Sequence, residues 1–162
     1  MSELRYLRVD RYLNPYQVAK NSMTDSKDQF SHNIFVRVYF EDTDAGGVVY
    51  HTSFLRFAER ARTELLRSFG ISHQSLKEKE GIIIAVRSCN AEYIKPAKLD
   101  DVLEITSESI IPEATGLRLS QTIRRGKEIL VSVGVRLVCV NERGKPVRLP
   151  LRIREKFEIF QS

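Results

Sequence analysis

Polar and apolar positions divide the chain into two unlike parts. From Asn21 to Asn33 the residues are polar, with little apolar recurrence (Asn21, Ser22, Thr24, Asp25, Ser26, Lys27, Asp28). Such a stretch predicts a linker or mobile tail. Upstream, Leu4, Tyr6, Leu7, Val9, Tyr12 and Leu13 would suit a short helix docking on a partner, although a frayed tail is the simpler reading. The chain thus divides into a polar, mobile extension over 1–32 and one domain over 33–162.

Within the domain the hydrophobic period changes twice. Ile34, Val36, Val38 and Phe40 alternate with Phe35, Arg37 and Tyr39, which predicts a strand. A loop rich in carboxylates and glycine follows, Glu41 to Gly47. The period then lengthens: Phe54, Phe57, Ala58, Ala61, Leu65 and Phe69 share one face of a helix from about Thr52 to Phe69, closed by Gly70. Arg62 falls inside that apolar arc, where a charge must be paired or line a site. After a polar connector come strand-like runs over 82–93, 102–111, 117–124 and 128–140, separated by Lys95-Pro96, Glu113–Gly116 and Arg125–Lys127. Short connections favour antiparallel neighbours and predict a four-strand meander. Leu149 to Phe160 predicts a final strand or short helix. The layout is α+β, an antiparallel sheet of about five strands wrapped around one long helix. The open edges of such a sheet predict a homo-oligomer.

Composition adds limits. A chain of 162 residues, 42% hydrophobic and 29% charged, can bury a core without metal or disulfide staples. No apolar run approaches the roughly 18 residues of a membrane span. Glu3 and Asp10 interrupt any secretory pattern, and beside Arg5, Arg8 and Arg11 they argue against a mitochondrial presequence, so the cytoplasm is expected. Cys89 and Cys139 lie in apolar stretches outside any CxxC or Cys/His cluster and read as small buried hydrophobes. No metal or cofactor is expected. The net charge of +5 calls for an anionic partner. Nucleic acid is one candidate, although the basic residues are scattered and carry no aromatic-basic motif, and a small polyanion fits equally well, so charge alone does not choose.

The chemistry concentrates in Phe40-Glu41-Asp42-Thr43-Asp44-Ala45-Gly46-Gly47-Val48-Val49-Tyr50-His51. Carboxylates and two glycines stand immediately before a helix, whose first N–H groups are unpaired and carry a partial positive charge. Such donors can stabilise a developing oxyanion while a neighbouring carboxylate attacks a carbonyl or activates water. A calcium loop starting at Asp42 fails, because its twelfth position is Ser53 rather than Glu. An aspartate-nucleophile phosphatase needs alternating strands and helices, and here four strands run in succession. Solvation of a tight turn by these acids remains open on the residues alone.

The string Val36 to His51, continued through Phe57-Ala58-Glu59-Arg60-Ala61-Arg62-Thr63-Glu64, closely resembles the YbgC-like acyl-CoA thioesterases, in the superfamily of 4-hydroxybenzoyl-CoA thioesterase and associated in bacteria with the Tol–Pal cell-envelope system. Tyr93-Ile94-Lys95-Pro96-Ala97-Lys98-Leu99-Asp100-Asp101 is similar to that family's second landmark. The resemblance implies a hotdog fold assembled as dimers, often paired into tetramers, and hydrolysis of a short- to medium-chain acyl-CoA. It implies Asp44 as nucleophile or general base and the His51 backbone N–H as the group polarising the carbonyl. Tyr50 and the His51 imidazole are assisting positions, and Gly46 and Gly47 shape the loop. Asp42 is a supporting residue, pairing with Arg62 or ordering the loop, and Glu59 takes a similar part.

One departure concerns phosphate binding. Aromatic-acyl relatives carry a basic cluster between their third and fourth strands, whereas this turn is Glu113-Ala114-Thr115-Gly116. Lys95, Lys98, Arg124, Arg125 and Lys127 are the candidates to replace it, and specialisation on 4-hydroxybenzoyl-CoA is not expected. The rival function is a scaffold that binds acyl carrier protein or tethers cell-envelope or lipid-synthesis enzymes with little turnover.

Overall fold

The computed structural model describes residues 31–159, so all but the last two residues of the extension, with its suggested helix, lie outside the described residues, and His32 already belongs to the first strand. The elements run β1 (His32–Arg37), a 3-10 turn (Phe40–Asp42), α1 (His51–Ser68), α2 (His73–Glu80), β2 (Ile83–Tyr93), β3 (Val102–Glu113), β4 (Gly116–Arg125), β5 (Glu128–Val140) and α3 (Leu151–Ile159). All five strands join one antiparallel sheet in the order β1-β3-β4-β5-β2. With α1 against one face, this is the hotdog architecture.

Only β3, β4 and β5 form a meander, which corrects the expectation of four. β2 pairs with β5 at one edge, and residues 94–101 carry the chain back to β3. Three strand spacings are about 14 Å, within reach of eight residues at ~3.4 Å each. The segment is pinned as it crosses: the Ile94 and Lys95 N–H groups donate to Leu130 O, and Ala97 O accepts from Val49 N–H. At its last residue, Asp101 O accepts from Val38 N–H. The crossover therefore underlies the start of α1.

The burial of α1 follows its period. Phe54, Phe57, Ala58, Ala61 and Leu65 face the sheet, and Gly70 (φ +73°) follows the helix end in the left-handed conformation. Two apolar clusters result. One joins Phe54, Phe57 and Ala61 to Val38, Leu103, Ile105 and Val131, and the other joins Leu65 and Leu66 to Leu76, Leu137, Cys139 and Ile153. Between them runs a polar row of Arg62, Gln121 and Ser107, all buried.

Several local expectations change. The polar connector contains α2, set by the Ser72 cap, whose Oγ accepts from Ser75 N–H, and by Gly81 beyond its end; only Leu76 of that helix is buried. Of the two alternatives for the C-terminal stretch, strand or short helix, Leu151–Ile159 takes the helix. Phe40 leaves the strand alternation for the 3-10 turn and is 82% exposed. Cys89 is exposed and only Cys139 is buried, because β2 is an edge strand.

Candidate active site

The loop between β1 and α1 is held by its backbone. Asp42, 3% exposed, accepts the Tyr39 N–H on Oδ2 at 3.0 Å and the Tyr50 N–H on its main-chain oxygen at 2.8 Å. It thereby ties the end of β1 to the start of α1. Thr43 and Val49 form an isolated bridge, and between them Asp44 N–H donates to Val48 O at 2.9 Å. Gly47 N–H returns to Asp44 O at 3.0 Å. The tip carrying Asp44 is thus a closed turn leading into the helix start.

Asp44 is exposed, and its Oδ1 accepts the Gly46 N–H at 2.8 Å. The glycines have physical reasons. A Cβ on Gly46 would sit 3.1 Å from Asp44 Oδ1, and Gly47 has φ +75°. The first residue of α1 is His51, and among the described residues its N–H has no hydrogen-bond acceptor. A fixed, exposed carboxylate thus lies in the loop that leads into an unused, exposed donor at the positive end of an 18-residue helix.

Aromatic rings surround that helix start. The Tyr50 and His51 ring centroids are 4.4 Å apart, and Tyr93 lies 6.2 Å from His51 and 6.0 Å from Phe54. The Tyr93 hydroxyl donates to His51 O at 3.1 Å. Burial, and secondarily the nearby Cys89, push the Tyr93 phenol above its ordinary pKa, so it remains a donor. Tyr93 is the residue missed as a site member. Its signal was the second landmark string, which brings β2 to the helix start.

Asp42 does not pair with Arg62; it orders the loop instead. Arg62, 8% exposed, reaches Glu59 Oε2 through Nε and Nη2, and Gln121 Oε1 through Nη1 at 2.6 Å. Gln121 in turn donates to Ala58 O at 2.9 Å and Ser107 Oγ at 3.0 Å. Glu59 and Arg62 therefore form a pair along α1, about 12–17 Å from His51 at 1.5 Å per residue.

The basic candidates divide. Lys95 Nζ binds Glu128 Oε1 at 2.7 Å, and Arg125 bridges Glu128 (2.6 Å) and Asp101 (2.7 Å). Lys98 contributes its backbone N–H to Asp101 Oδ2 at 2.8 Å. The donors from Lys95 and then Arg125 hold Glu128 below the ordinary carboxylate range. Desolvation pushes Asp101 upward, but the Lys98 N–H and Arg125 outweigh it and its pKa is lowered. The Lys98 charge also acts on Asp101 without a close ion pair, and the Arg124 and Lys127 side chains form no ion pair among the described residues. The fold thus gathers Lys95, Lys98 and Arg125 around two acids near the crossover, with Arg124 at the end of β4 and Lys127 on the adjoining β4–β5 turn.

Comparison with known proteins follows the same lines. The family model described as "Thioesterase-like superfamily" matches residues 38–157. The acyl-CoA thioester hydrolase YbgC of Escherichia coli O6:H1 is 46% identical over 125 residues, covering 76% of this chain and 92% of that protein. The acyl-CoA thioesterase YbgC of Haemophilus influenzae is 39% identical, over 75% of this chain and 90% of that one. Among solved structures, a probable thioesterase from Bartonella henselae superposes with a TM-score of 0.71 at 35% identity, covering 75% of this chain and all of that one. The 4-hydroxybenzoyl CoA thioesterase of Pseudomonas sp. strain CBS-3 reaches a TM-score of 0.71 over 77% of this chain and 97% of that one. At 21% identity that second likeness speaks to the fold alone.

Proposed function

The chain belongs to the thioesterase-like superfamily and is an acyl-CoA thioester hydrolase; on that premise we propose that Asp44 drives the reaction on short- to medium-chain acyl-CoA. The observation carrying this is the exposed Asp44 carboxylate, pinned by Gly46 N–H at 2.8 Å, in the loop that ends at the unpaired His51 N–H. The thioester oxygen accepts from that N–H, so charge developing on it in the transition state meets a preorganised donor and the helix dipole. Asp44 then attacks the acyl carbon, giving an acyl-aspartate that water cleaves, or it takes a proton from a water that attacks directly. Both routes release CoA thiolate and leave the free acid. Tyr50 and the His51 imidazole line the site, and Asp42, Gly46 and Gly47 keep the loop in shape. Glu59 and Arg62 support α1.

Lys98, Arg124 and Lys127, with Lys95 and Arg125 from the ion-paired cluster, are the phosphate-binding candidates near the crossover. The outer edge of β2 has no strand partner among the described residues. A second copy pairing there antiparallel would extend the sheet and cover Val86 and Tyr93, so a homodimer, further paired into a tetramer, is the proposed assembly. A cytoplasmic location and a link to the Tol–Pal envelope system belong to the same reading.

Free-thiol release from acyl-CoAs running from acetyl through dodecanoyl to benzoyl tests the substrate. Turnover concentrated on the shorter straight chains supports the proposal. Tight binding of acyl carrier protein with no substrate cleaved would favour the scaffold instead.

A further inference from the structure

We infer that Tyr93 is a positioning residue for the reaction: by donating to His51 O, its hydroxyl holds the first turn of α1 so that the His51 N–H stays aimed at the thioester oxygen, an inference that deepens the thioesterase reading and rests on it. A helix start is where backbone order is weakest, because its first N–H groups have no partner within the helix. The usual remedy is a capping side chain that accepts from those groups. α1 lacks one: Tyr50, at the N-cap position, makes no side-chain cap. A capping oxygen would order the turn, but it would also stand among the N–H groups that a substrate oxygen must reach. The fold secures the turn from the carbonyl side instead, with the Tyr93 hydroxyl 3.1 Å from His51 O.

The grip has a second point on the same segment. Tyr93 closes β2 opposite Val131, and the Ile94 and Lys95 N–H groups tie the next residues to Leu130 O. Ala97, fully buried, then accepts the Val49 N–H on its main-chain oxygen at 2.8 Å. Residues 93–97 therefore hold the chain on both sides of the peptide that joins Tyr50 to His51, at the Val49 N–H before it and at the His51 carbonyl after it. The neighbouring donors are occupied: Tyr50 N–H by Asp42 O and Ser53 N–H by Tyr50 O, each at 2.8 Å. The His51 N–H lies between these fixed points, without an acceptor among the described residues. Packing sets the phenol in place, its ring centroid 6.2 Å from that of His51 and 6.0 Å from that of Phe54. The bond runs within one chain, so it does not depend on a second copy at the β2 edge.

The test compares the full chain with Tyr93→Phe, which keeps the ring and removes the bond. On the best acyl-CoA, kcat should fall about ten- to a hundredfold, as for a donor displaced by about 1 Å. KM should stay within about twofold, with Tm and oligomeric state nearly unchanged. Binding supplies a readout that a merely structural bond would not move. One ligand is the octanoyl-CoA ketone in which CH2 replaces the thioester sulfur, and the other is that compound with its carbonyl reduced to CH2. The ratio of their affinities isolates the carbonyl contact, and Tyr93→Phe should shift it against the ketone by about two- to tenfold, the net worth of one hydrogen bond. The infrared carbonyl band of the bound ketone should move to higher frequency in the variant. The pH profile of kcat should keep its shape, because burial raises the phenol above its ordinary 10.0 and it stays protonated. An unchanged kcat, or an unchanged affinity ratio whatever the kcat, would overturn the inference and leave the thioesterase reading intact. So would a loss confined to KM or accompanied by a dissociated oligomer, which would make Tyr93 a substrate contact or an interface residue. A basic limb of the pH profile that vanishes with the phenol would make it an acid and overturn the inference as well. A wild type inactive on every acyl-CoA would instead remove the thioesterase reading; a shifted affinity ratio would then still support the clamp, and an unshifted one would count against it.

Discussion

Replacing Gln121 with Leu removes three hydrogen bonds from the middle of the core while nearly keeping the side-chain volume. Gln121 is 1% exposed, accepts from Arg62 Nη1 at 2.6 Å, and donates to Ala58 O and Ser107 Oγ. Ala58 O keeps its helical donor and Ser107 can turn its hydroxyl, so the main cost falls on the guanidinium. A hydrogen bond to a charged group contributes about 1.5–3 kcal/mol, and stripping a partner from a buried ion costs about 3–5 kcal/mol. The greater apolar burial of Leu offsets part of this, and the arithmetic settles near 3 kcal/mol of lost stability. That corresponds to a fall in Tm of roughly 6–12 °C for a domain of this size. Urea titration at fixed protein concentration measures it, the midpoint moving while the slope stays constant. Pairing the change with Arg62→Met supplies the sharper comparison: without the charge, loss of Gln121 should cost at least ~1.5 kcal/mol less. A single Gln121→Leu costing under about 1 kcal/mol, or strict additivity in the double variant, would refute the reasoning.

Gly46→Ala places a methyl group 3.1 Å from Asp44 Oδ1 and should displace the carboxylate; kcat should fall about ten- to a hundredfold with Tm nearly unchanged, and unaltered kinetics would contradict the loop geometry. His32 is buried in β1, opposite Ser107 and near Glu64 of α1, with neither ring nitrogen bonded among the described residues. Burial lowers its pKa against a smaller upward pull from Glu64, so the folded state holds it neutral. The unfolded chain therefore binds the proton first, and stability should decline as pH falls below the ordinary value of 6.5 toward the depressed folded one. His32→Leu should flatten that part of a denaturation-midpoint profile against pH, and an unchanged slope would exclude the residue as its source.

Elements with strong periodicity were legible in the sequence. The helix expected over 52–69 is His51–Ser68, and the last strand of the sheet matches its expected bounds, Glu128–Val140. The loop and helix start carrying Asp44 and His51 were also legible, because their glycines and apolar face are local. What depends on distant partners was not. The edge position of β2 follows from a crossover whose eight residues read as an ordinary turn, and with it went the exposure of Cys89 and the part played by Tyr93. The need of Arg62 for a partner was visible from its place in the apolar arc, but Gln121 is uncharged and 59 residues away. α2 was hidden because it buries a single leucine, leaving its capping serine and final glycine as the only signals. The basic candidates could be named but not sorted, since only the fold brings Glu128 and Asp101 against Lys95 and Arg125.

The central claim is that the Asp44 carboxylate, in the loop leading into the His51 N–H, drives hydrolysis of the thioester. Thiol release by wild type and Asp44→Asn on the best acyl-CoA of the panel tests it most directly, with Tm recorded for both. The amide keeps the shape but can neither attack nor accept a proton, so kcat should fall by about 10²–10⁴ or more with the fold retained. A folded Asp44→Asn enzyme turning over at near the wild-type rate would contradict the account.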